Sequence, residues 1–226
     1  MNKSDFDKFA KNYNSILSNS IHFSAEENLY FAEYKVVLTA SLVDTSSVNN
    51  VLDFGCGTGR SLVFLRKYFP KSKIVGYDPS QQSLQIAAKN NPGCLFSSDW
   101  NALRGKTFDL IFAANVFHHI PSDFQHTILC QCNGILDKRG SFFIFEHNPF
   151  NPATRWVFEQ CPFDKNAEMI SKGKMKKTAA SAGLREIDEG YTLFFPCRLS
   201  FLRSIEVFLK KLPLGAQYYV RLKHND

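Results

Sequence analysis

The chain has 226 residues, of which 44% are hydrophobic, and it carries a formal net charge of +6. This length supports one domain with a sizeable core and leaves little room for two. No apolar run reaches about 18 residues, which disfavours a membrane-spanning protein, and the polar N-terminus lacks the apolar centre of a secretory signal. We therefore expect a single domain over residues 1–226 and a cytoplasmic location.

The cysteines favour reduced thiols. They lie at positions 56, 94, 130, 132, 161 and 197, and no two of them form a CxxC pair. Cys130 and Cys132 are two positions apart, which is a poor spacing for holding a metal ion. We therefore predict neither disulfides nor a metal site.

The excess positive charge lies near the C-terminus. Residues 161–226 hold 12 Lys and Arg against 7 Asp and Glu, whereas the rest of the chain is nearly balanced. A basic region attracts an anionic small molecule, a nucleic acid or a membrane surface. A solvated basic face is the simpler interpretation.

The first part of the chain predicts helices. Residues 3–18 place aromatic and aliphatic side chains at helical spacing. A second helix is expected over residues 24–42, because Ser24 followed by Glu27 forms a capping-box pattern. Residues 1–45 are therefore expected to form a helical cap.

After residue 50 the pattern changes to short strands that alternate with helices. Helical stretches are predicted over residues 59–69, 80–90 and 122–136. The strands between and beside them are "NVLDF", "KIVGYD", "CLFSS", "FDLIFAANV" and "GSFFIFEHN". Such alternation predicts a parallel sheet with helices on both faces.

The part beyond residue 150 is less regular. "NPFNPATRW" is expected to be a loop, residues 171–182 a helix, and "REIDEGYTLFF" and "GAQYYVRLKH" strands. Between these strands, residues 201–212 predict an amphipathic helix whose apolar face packs on the sheet, with a membrane surface as the less favoured alternative. That face contains Phe201, Leu202, Ile205, Phe208, Leu209 and Leu212.

The stretch "VLDFGCGTG", residues 51–59, predicts a strand followed by a ligand-binding turn. Three glycines at alternate positions permit positive φ and the close approach of a ligand to the backbone. The helix that follows offers free N–H groups. Arg60 stands where a dinucleotide-binding fingerprint has its third glycine, and a phosphate-binding Lys-Ser/Thr pair is absent from the turn.

Acidic residues follow three successive strands and indicate the kind of ligand. Asp53 precedes the turn, where it would repel a pyrophosphate and favour a cationic ligand. Asp78, at the tip of the second strand, is placed to accept hydrogen bonds from ribose hydroxyls. Asp99 can accept from an adenine amino group, and Trp100 offers an apolar face. These residues predict a nucleoside that bears a positive charge.

Four motifs carry a resemblance to a known family. "VLDFGCGTG", "GYDPS", "SSDW" and "FDLIFAANVFHHI" resemble, in order and spacing, motifs of the class I S-adenosylmethionine-dependent methyltransferases of the small-molecule type, over about residues 25–148. The resemblance implies an α/β fold with a doubly wound, Rossmann-like, seven-stranded sheet that is mostly parallel, has its last strand antiparallel and carries helices on both faces. It also implies a cofactor-binding core over residues 50–148 and an acceptor lid with the final strands over residues 149–226.

The resemblance further implies S-adenosylmethionine as cofactor, with S-adenosylhomocysteine as product, and assigns residues to it. Asp53 and the turn would hold the methionine end, Asp78 and Pro79 the ribose, and Asp99 with Trp100 the adenine. Asn115 and Val116 would line the pocket, and Tyr13 of "FAKNYN" would contact the cofactor from the cap. The turn residues concerned are Gly55, Cys56, Gly57 and Gly59.

The methyl acceptor is less defined by the sequence. The motifs of base-methylating DNA enzymes are absent, which disfavours nucleic acid. His119 follows the fourth strand and is the candidate general base, with His118, Glu146 and His147 nearby, although a packing role accounts for "HHI" as well. Phe and Arg residues beyond 150 suit an amphiphilic or anionic small molecule. The alternatives are an RNA or protein methyltransferase that uses the basic C-terminal face and a cofactor-binding subunit without catalysis.

Overall fold

The computed structural model describes residues 25–161 and 164–225 and contains seven strands among them. The predicted helix over residues 3–18 and Tyr13 lie outside the described residues. The strands are β1 Asn50–Phe54, β2 Lys73–Tyr77, β3 Leu95–Ser97, β4 Phe108–Ala114, β5 Leu136–His147, β6 Leu184–Thr192 and β7 Gln217–His224. The helices are α1 Ala25–Ser41, α2 Leu62–Tyr68, α3 Gln81–Asn90, α4 Ser122–Asn133, α5 Pro152–Gln160, α6 Lys172–Ser181 and α7 Arg203–Leu209.

The sheet has the strand order β3-β2-β1-β4-β5-β7-β6. Strands β1 to β5 pair in parallel, and β7 pairs antiparallel with both β5 and β6. The predicted seven-stranded, mostly parallel sheet with an antiparallel last strand is therefore confirmed. The order reverses at β1, so the tips of β1 and β4 form the switch point where ligands bind in such sheets.

The central strands are buried on both faces because helices cover each side. Phe142 and Ile144 of β5 face a core that includes Leu129 of α4 and Met175 of α6. The opposite side chains of the strands face a second core with Val36 of α1 and with side chains of α2 and α3. Burial on both faces accounts for the apolar runs over residues 110–114 of β4 and 142–145 of β5.

The expected loop "NPFNPATRW" is instead partly helical. Helix α5 begins at Pro152, directly after Asn151, whose side-chain oxygen accepts a hydrogen bond from the backbone N–H of Thr154 at 2.9 Å. The proline occupies a position at the helix start where its missing N–H costs nothing. Pro152, the second proline of this stretch, therefore belongs to the start of a helix.

The prediction that the apolar face of residues 201–212 packs on the sheet is wrong. Phe201 and Phe208 are 72% and 84% exposed, and Ile205 and Leu212 are exposed as well. The buried residue of α7 is Glu206, whose carboxylate accepts hydrogen bonds from the Tyr34 hydroxyl and from the backbone N–H of Phe194 at 3.1 Å. An acidic side chain therefore attaches this helix to the fold, and the apolar face turns outward.

Among the described helices, none combines the length and the apolar character that a bilayer crossing requires.

Candidate active site

The glycine turn after β1 has the backbone conformation that its sequence predicts. Gly55, Gly57 and Gly59 all have positive φ, at 73°, 52° and 82°. A Cβ added to Gly55 would lie 2.5 Å from Cγ2 of Val116, which follows the tip of β4. The turn therefore needs glycine for its backbone conformation and for its close packing against the β4 loop.

The acid after β2 holds this turn in place. One carboxylate oxygen of Asp78 accepts a hydrogen bond from the Gly57 N–H at 2.9 Å, and the other accepts from the Ser80 N–H at the same distance. Asp78 also lines the cavity described below. Asp78 thus orients the turn in addition to its predicted ribose contact.

Asp53 is the buried acid at the start of the turn. It is 3% exposed, and its Oδ2 has no hydrogen-bond partner among the described residues. Burial, together with the charge of Asp78, raises the pKa of Asp53 to about 8. A buried carboxyl group without a partner is unfavourable unless a donor or a cation from a ligand approaches it.

A cavity of about 760 Å³ extends from the glycine turn to the tips of β4 and β5. Most of the predicted site residues line it: Asp53, Gly55, Cys56, Gly57, Asp78, Pro79, Asn115, Val116 and His119. Such a volume is in the range of sites for small molecules and cofactors. The predicted cofactor site and the predicted base therefore border one continuous space.

Three other predicted residues do not line this cavity. Gly59 packs beneath the turn, where a Cβ would lie 2.6 Å from the amide nitrogen of Asn91. Asp99 is exposed and accepts a hydrogen bond from the Asn101 N–H at 2.9 Å. Trp100 packs edge-on against Tyr77 at 5.4 Å between ring centroids. The adenine contacts assigned to Asp99 and Trp100 remain a prediction.

Lys35 of α1 is a cavity residue that no sequence motif indicated. It is 5% exposed, and burial lowers its pKa to about 8 although Glu146 acts in the opposite direction. Arg60, directly after the turn, also lines the cavity. Lys35 lies between Tyr34 and Val36, next to the apolar residues 36–38 of the helix, and this position was its only indication in the sequence.

The far end of the cavity is built around Glu146 of β5. One of its oxygens accepts hydrogen bonds from the backbone N–H groups of Val116 and Phe117, at 3.0 and 2.7 Å, and the other contacts Nδ1 of His118 at 2.6 Å. Burial alone would raise the pKa of Glu146, but the charge of His118 and these hydrogen bonds lower it to about 2. Glu146 therefore fixes the loop that carries His118.

His118 lies between two carboxylates. Its Nε2 is 3.4 Å from Oδ1 of Asp164, on the segment between α5 and α6, and its Nδ1 contacts Glu146. Burial lowers the pKa of His118, but the two carboxylates outweigh it and raise the pKa to about 9. Asp164 is the second site residue that the sequence did not reveal, because nothing in "CPFDKN" links it to residues near 118.

His119 and His147 complete this end of the cavity. Nε2 of His119 is 3.5 Å from Oδ1 of Asp164, and the ring of His147 lies 5.2 Å from that of His118. Burial, followed by the charge of His118, lowers the pKa of His119 to about 3 and that of His147 to about 4. Both imidazoles are therefore neutral at pH 7, and His119 is a weak base in this state.

Comparisons with known proteins show which chains this protein resembles. Residues 52–142 match the family model described as a methyltransferase domain. The chain is 32% identical over 111 residues to a trans-aconitate 2-methyltransferase of Rhodopseudomonas palustris, a match that covers 46% of this chain and 43% of that protein. The chain thus spans less than half the length of this curated relative.

Solved structures extend the similarity in fold to nearly the whole chain. A methyltransferase of Thermotoga maritima, described as a possible histamine N-methyltransferase, has a TM-score of 0.68 at 20% identity and covers 98% of each chain. The plantazolicin methyltransferase in complex with SAH has a TM-score of 0.65 at 16% identity, covering 98% of this chain and 95% of that one. Residues 52–142 thus match a methyltransferase domain, and the solved structures share the fold of nearly the whole chain.

Proposed function

We propose that this protein transfers a methyl group from S-adenosylmethionine to a small-molecule acceptor at O, N or C. The observation that carries the proposal is Asp53, whose buried Oδ2 has no partner among the described residues and borders the same cavity as the glycine turn. A cationic ligand would supply the partner that this carboxyl group lacks and would favour its ionised form. When bound, the cofactor would supply an electrophilic methyl group on its sulfonium.

The residues around the turn suit the two ends of this cofactor. Asp53 would bind the ammonium or sulfonium of the cofactor's methionine moiety. The buried ammonium of Lys35, which lines the same cavity, would bind the carboxylate of that moiety. Asp78 lines the same cavity, and a carboxylate there can accept hydrogen bonds from ribose hydroxyls. The helical cap, the core and the lid would act as one domain around this site.

The acceptor would occupy the end of the cavity beside Val116 and His119. Apolar residues of α4 and α5, among them Ile128, Val157 and Phe158, form much of its wall, so the site excludes water around a reacting group. The similarity to a trans-aconitate methyltransferase supports an anionic acceptor. Lys35 and Arg60 are the basic residues that line the cavity, whereas the arginines beyond residue 150 are absent from its lining.

His119 remains the proposed catalytic residue, with a role that its surroundings define. Its imidazole lines the cavity and shares Asp164 with His118. A pKa of about 3 makes it a poor general base, so we assign it hydrogen bonding to the acceptor.

Two alternative functions, a macromolecule methyltransferase and a non-catalytic subunit, predict different results in binding and methyl-transfer experiments. An RNA or protein methyltransferase would act on macromolecules and lose nucleic-acid affinity steeply with salt. A cofactor-binding subunit would bind S-adenosylmethionine and methylate nothing. The buried location of the His119 end favours a small acceptor over either macromolecule.

The test is transfer of a labelled methyl group from S-adenosylmethionine to small molecules. The protein is incubated with a panel of carboxylic acids that includes trans-aconitate, with a small-molecule extract, and with total RNA and protein. Labelled small products made by the wild type, and reduced at least about tenfold (about 1.4 kcal/mol) in His119→Gln but unchanged in the exposed control His126→Gln, support the proposal. Label only in RNA or protein, or in nothing, contradicts it.

A further inference from the structure

Three potential metal ligands converge at the acceptor end of the cavity. His118 follows β4, His147 ends β5, and Asp164 lies between α5 and α6. One ligand atom of each lies within 4.8 Å of the others. These residues are far apart in sequence, so the cluster is a product of the fold rather than of one local motif.

We propose that His118, His147 and Asp164 bind a divalent transition-metal ion that holds an oxygen of the methyl acceptor. The inference rests on the proposed function for the identity of that acceptor, but the metal site itself does not. Two imidazoles and one carboxylate are a common protein ligand set that leaves further coordination positions open. All three residues line the cavity, so an open position would face the space for the acceptor.

The distance between two of the ligand atoms supports this assignment. Nε2 of His118 and Oδ1 of Asp164 are 3.4 Å apart, which is longer than a well-formed N–H···O hydrogen bond of about 2.9 Å. Two ligands at about 2.1 Å from a tetrahedral ion lie about 3.4 Å from each other. The pair thus has the spacing of two ligands on one ion.

The surroundings of His118 match those of metal-bound histidines. Such a ring usually presents its second nitrogen to a carboxylate, which fixes its orientation and tautomer. Here Glu146 contacts Nδ1 of His118 at 2.6 Å and leaves Nε2 directed at Asp164. Glu146 is itself held by the N–H groups of Val116 and Phe117, so the ring is fixed by a rigid loop.

Charge also favours a cation at this place. Glu146 and Asp164 are two carboxylates within one buried cluster, and the amine of Lys35 interacts electrostatically with Glu146. A divalent ion would offset both acidic groups, whereas a single imidazolium offsets one. Imidazole with carboxylate favours Zn²⁺, Co²⁺, Fe²⁺, Mn²⁺ or Ni²⁺ over Ca²⁺, which prefers oxygen ligands.

The test uses tag-free, metal-stripped full-length protein and needs no acceptor. Co²⁺ is titrated while the visible absorption is recorded, and Zn²⁺ affinity is measured by competition with a chromophoric chelator. We expect one ion per chain in the wild type and a loss in His147→Gln and Asp164→Asn. Glu146→Gln should weaken binding about 10- to 100-fold, as expected for an outer partner of a ligand.

A matched control variant tests whether the metal ion binds at a histidine outside the proposed site. His126 lies on α4 beside Cys130, with 3.8 Å between Nε2 and Sγ, and His126→Asn should leave the Co²⁺ spectrum unchanged. Zn²⁺ should also raise the Tm of the wild type but not that of a folded Asp164→Asn variant. Equal binding by the wild type, His147→Gln and Asp164→Asn, or no stoichiometric binding by the wild type, overturns the proposal.

Calorimetry with S-adenosylmethionine on the same samples separates this inference from the proposed function. Cofactor binding without metal binding overturns the metal site alone. Metal binding without cofactor binding overturns the methyltransferase activity and leaves the site.

Discussion

The two ends of the cavity are built in different ways. The cofactor end depends on one continuous segment, residues 53–59, whose backbone conformation is held by Asp78 of the neighbouring strand. The acceptor end depends on charged side chains from three distant segments, arranged around Glu146. A substitution at the first end should therefore act through backbone geometry, and one at the second through charge and hydrogen bonding.

The largest effect is expected for Gly55→Ala. The new Cβ would lie 2.5 Å from Val116 at a φ of +73°, so the free energy of unfolding should fall by about 2–4 kcal/mol. Cofactor affinity should fall at least about 100-fold, or about 2.7 kcal/mol, because the turn and the β4 loop both move. Urea unfolding and calorimetry measure the two effects.

Gly173→Ala is the matched control for Gly55→Ala. Gly173 lies in α6 with no atom within 4 Å of an added Cβ, and alanine is the better helix former. Equal losses in the two variants would mean that the turn is not the conformationally demanding element that we describe.

The next effect is expected for Glu146→Gln, which keeps the shape and removes the charge. Unfolding of the metal-stripped protein in urea at pH 5.5 should show a loss of about 2–3 kcal/mol, because His118 loses a buried partner.

The difference between the wild type and Glu146→Gln should depend on pH in a defined direction. The pKa of His118 is raised to about 9, so its share of the stability is complete below the unfolded pKa of about 6.5 and lost as the pH rises through 9. The pKa of Glu146 is lowered to about 2, so the contribution of its ionised form to the free energy of unfolding persists as the pH falls toward that value. The difference should be largest near pH 5.5 and smaller at pH 9.5; a constant difference would contradict the pairing.

The sequence revealed the two ends of the cavity unequally. The turn was predictable because its residues are adjacent, and alternate glycines at 55, 57 and 59 directly after a strand favour a tight ligand-binding turn. Asp164 was not predictable, because its role depends on a contact with His118 across 46 positions that no periodicity records. The fold followed from alternating strands and helices, which are local patterns.

The same distinction accounts for the wrong prediction for residues 201–212. Helical periodicity correctly predicted a helix in this segment. It wrongly predicted that the apolar face is buried, because a polar residue of the helix has specific partners in the fold. Glu206 finds such partners in Tyr34 and the backbone of Phe194, and this arrangement determines the orientation of α7.

A moderate effect is expected for Lys35→Met, which keeps the length of the side chain. Removal of a buried charge should stabilise the fold by about 1 kcal/mol, while cofactor affinity should fall about tenfold through loss of the carboxylate partner. Thermal unfolding and calorimetry together test this. Unchanged affinity would remove Lys35 from the cofactor site.

The smallest effect is expected for Asp99→Asn. Asp99 is exposed, absent from the cavity lining and engaged with the Asn101 N–H, and asparagine serves as well in that position. Cofactor affinity should stay within about twofold, or about 0.4 kcal/mol. A tenfold loss would support the adenine contact that the resemblance implies and would show that the ligand extends beyond the cavity described.

The measurement that tests the central claim most directly is calorimetry of S-adenosylmethionine binding at pH 7, in two buffers of different ionisation enthalpy. Asp53 has a pKa of about 8 in the free protein, and a bound cation favours its ionised form, so binding should release protons and should strengthen as the pH rises toward 8. Asp53→Asn should abolish the release. Binding without proton release in the wild type, or no binding of S-adenosylmethionine at all, would contradict the assignment of this cavity to a cationic cofactor.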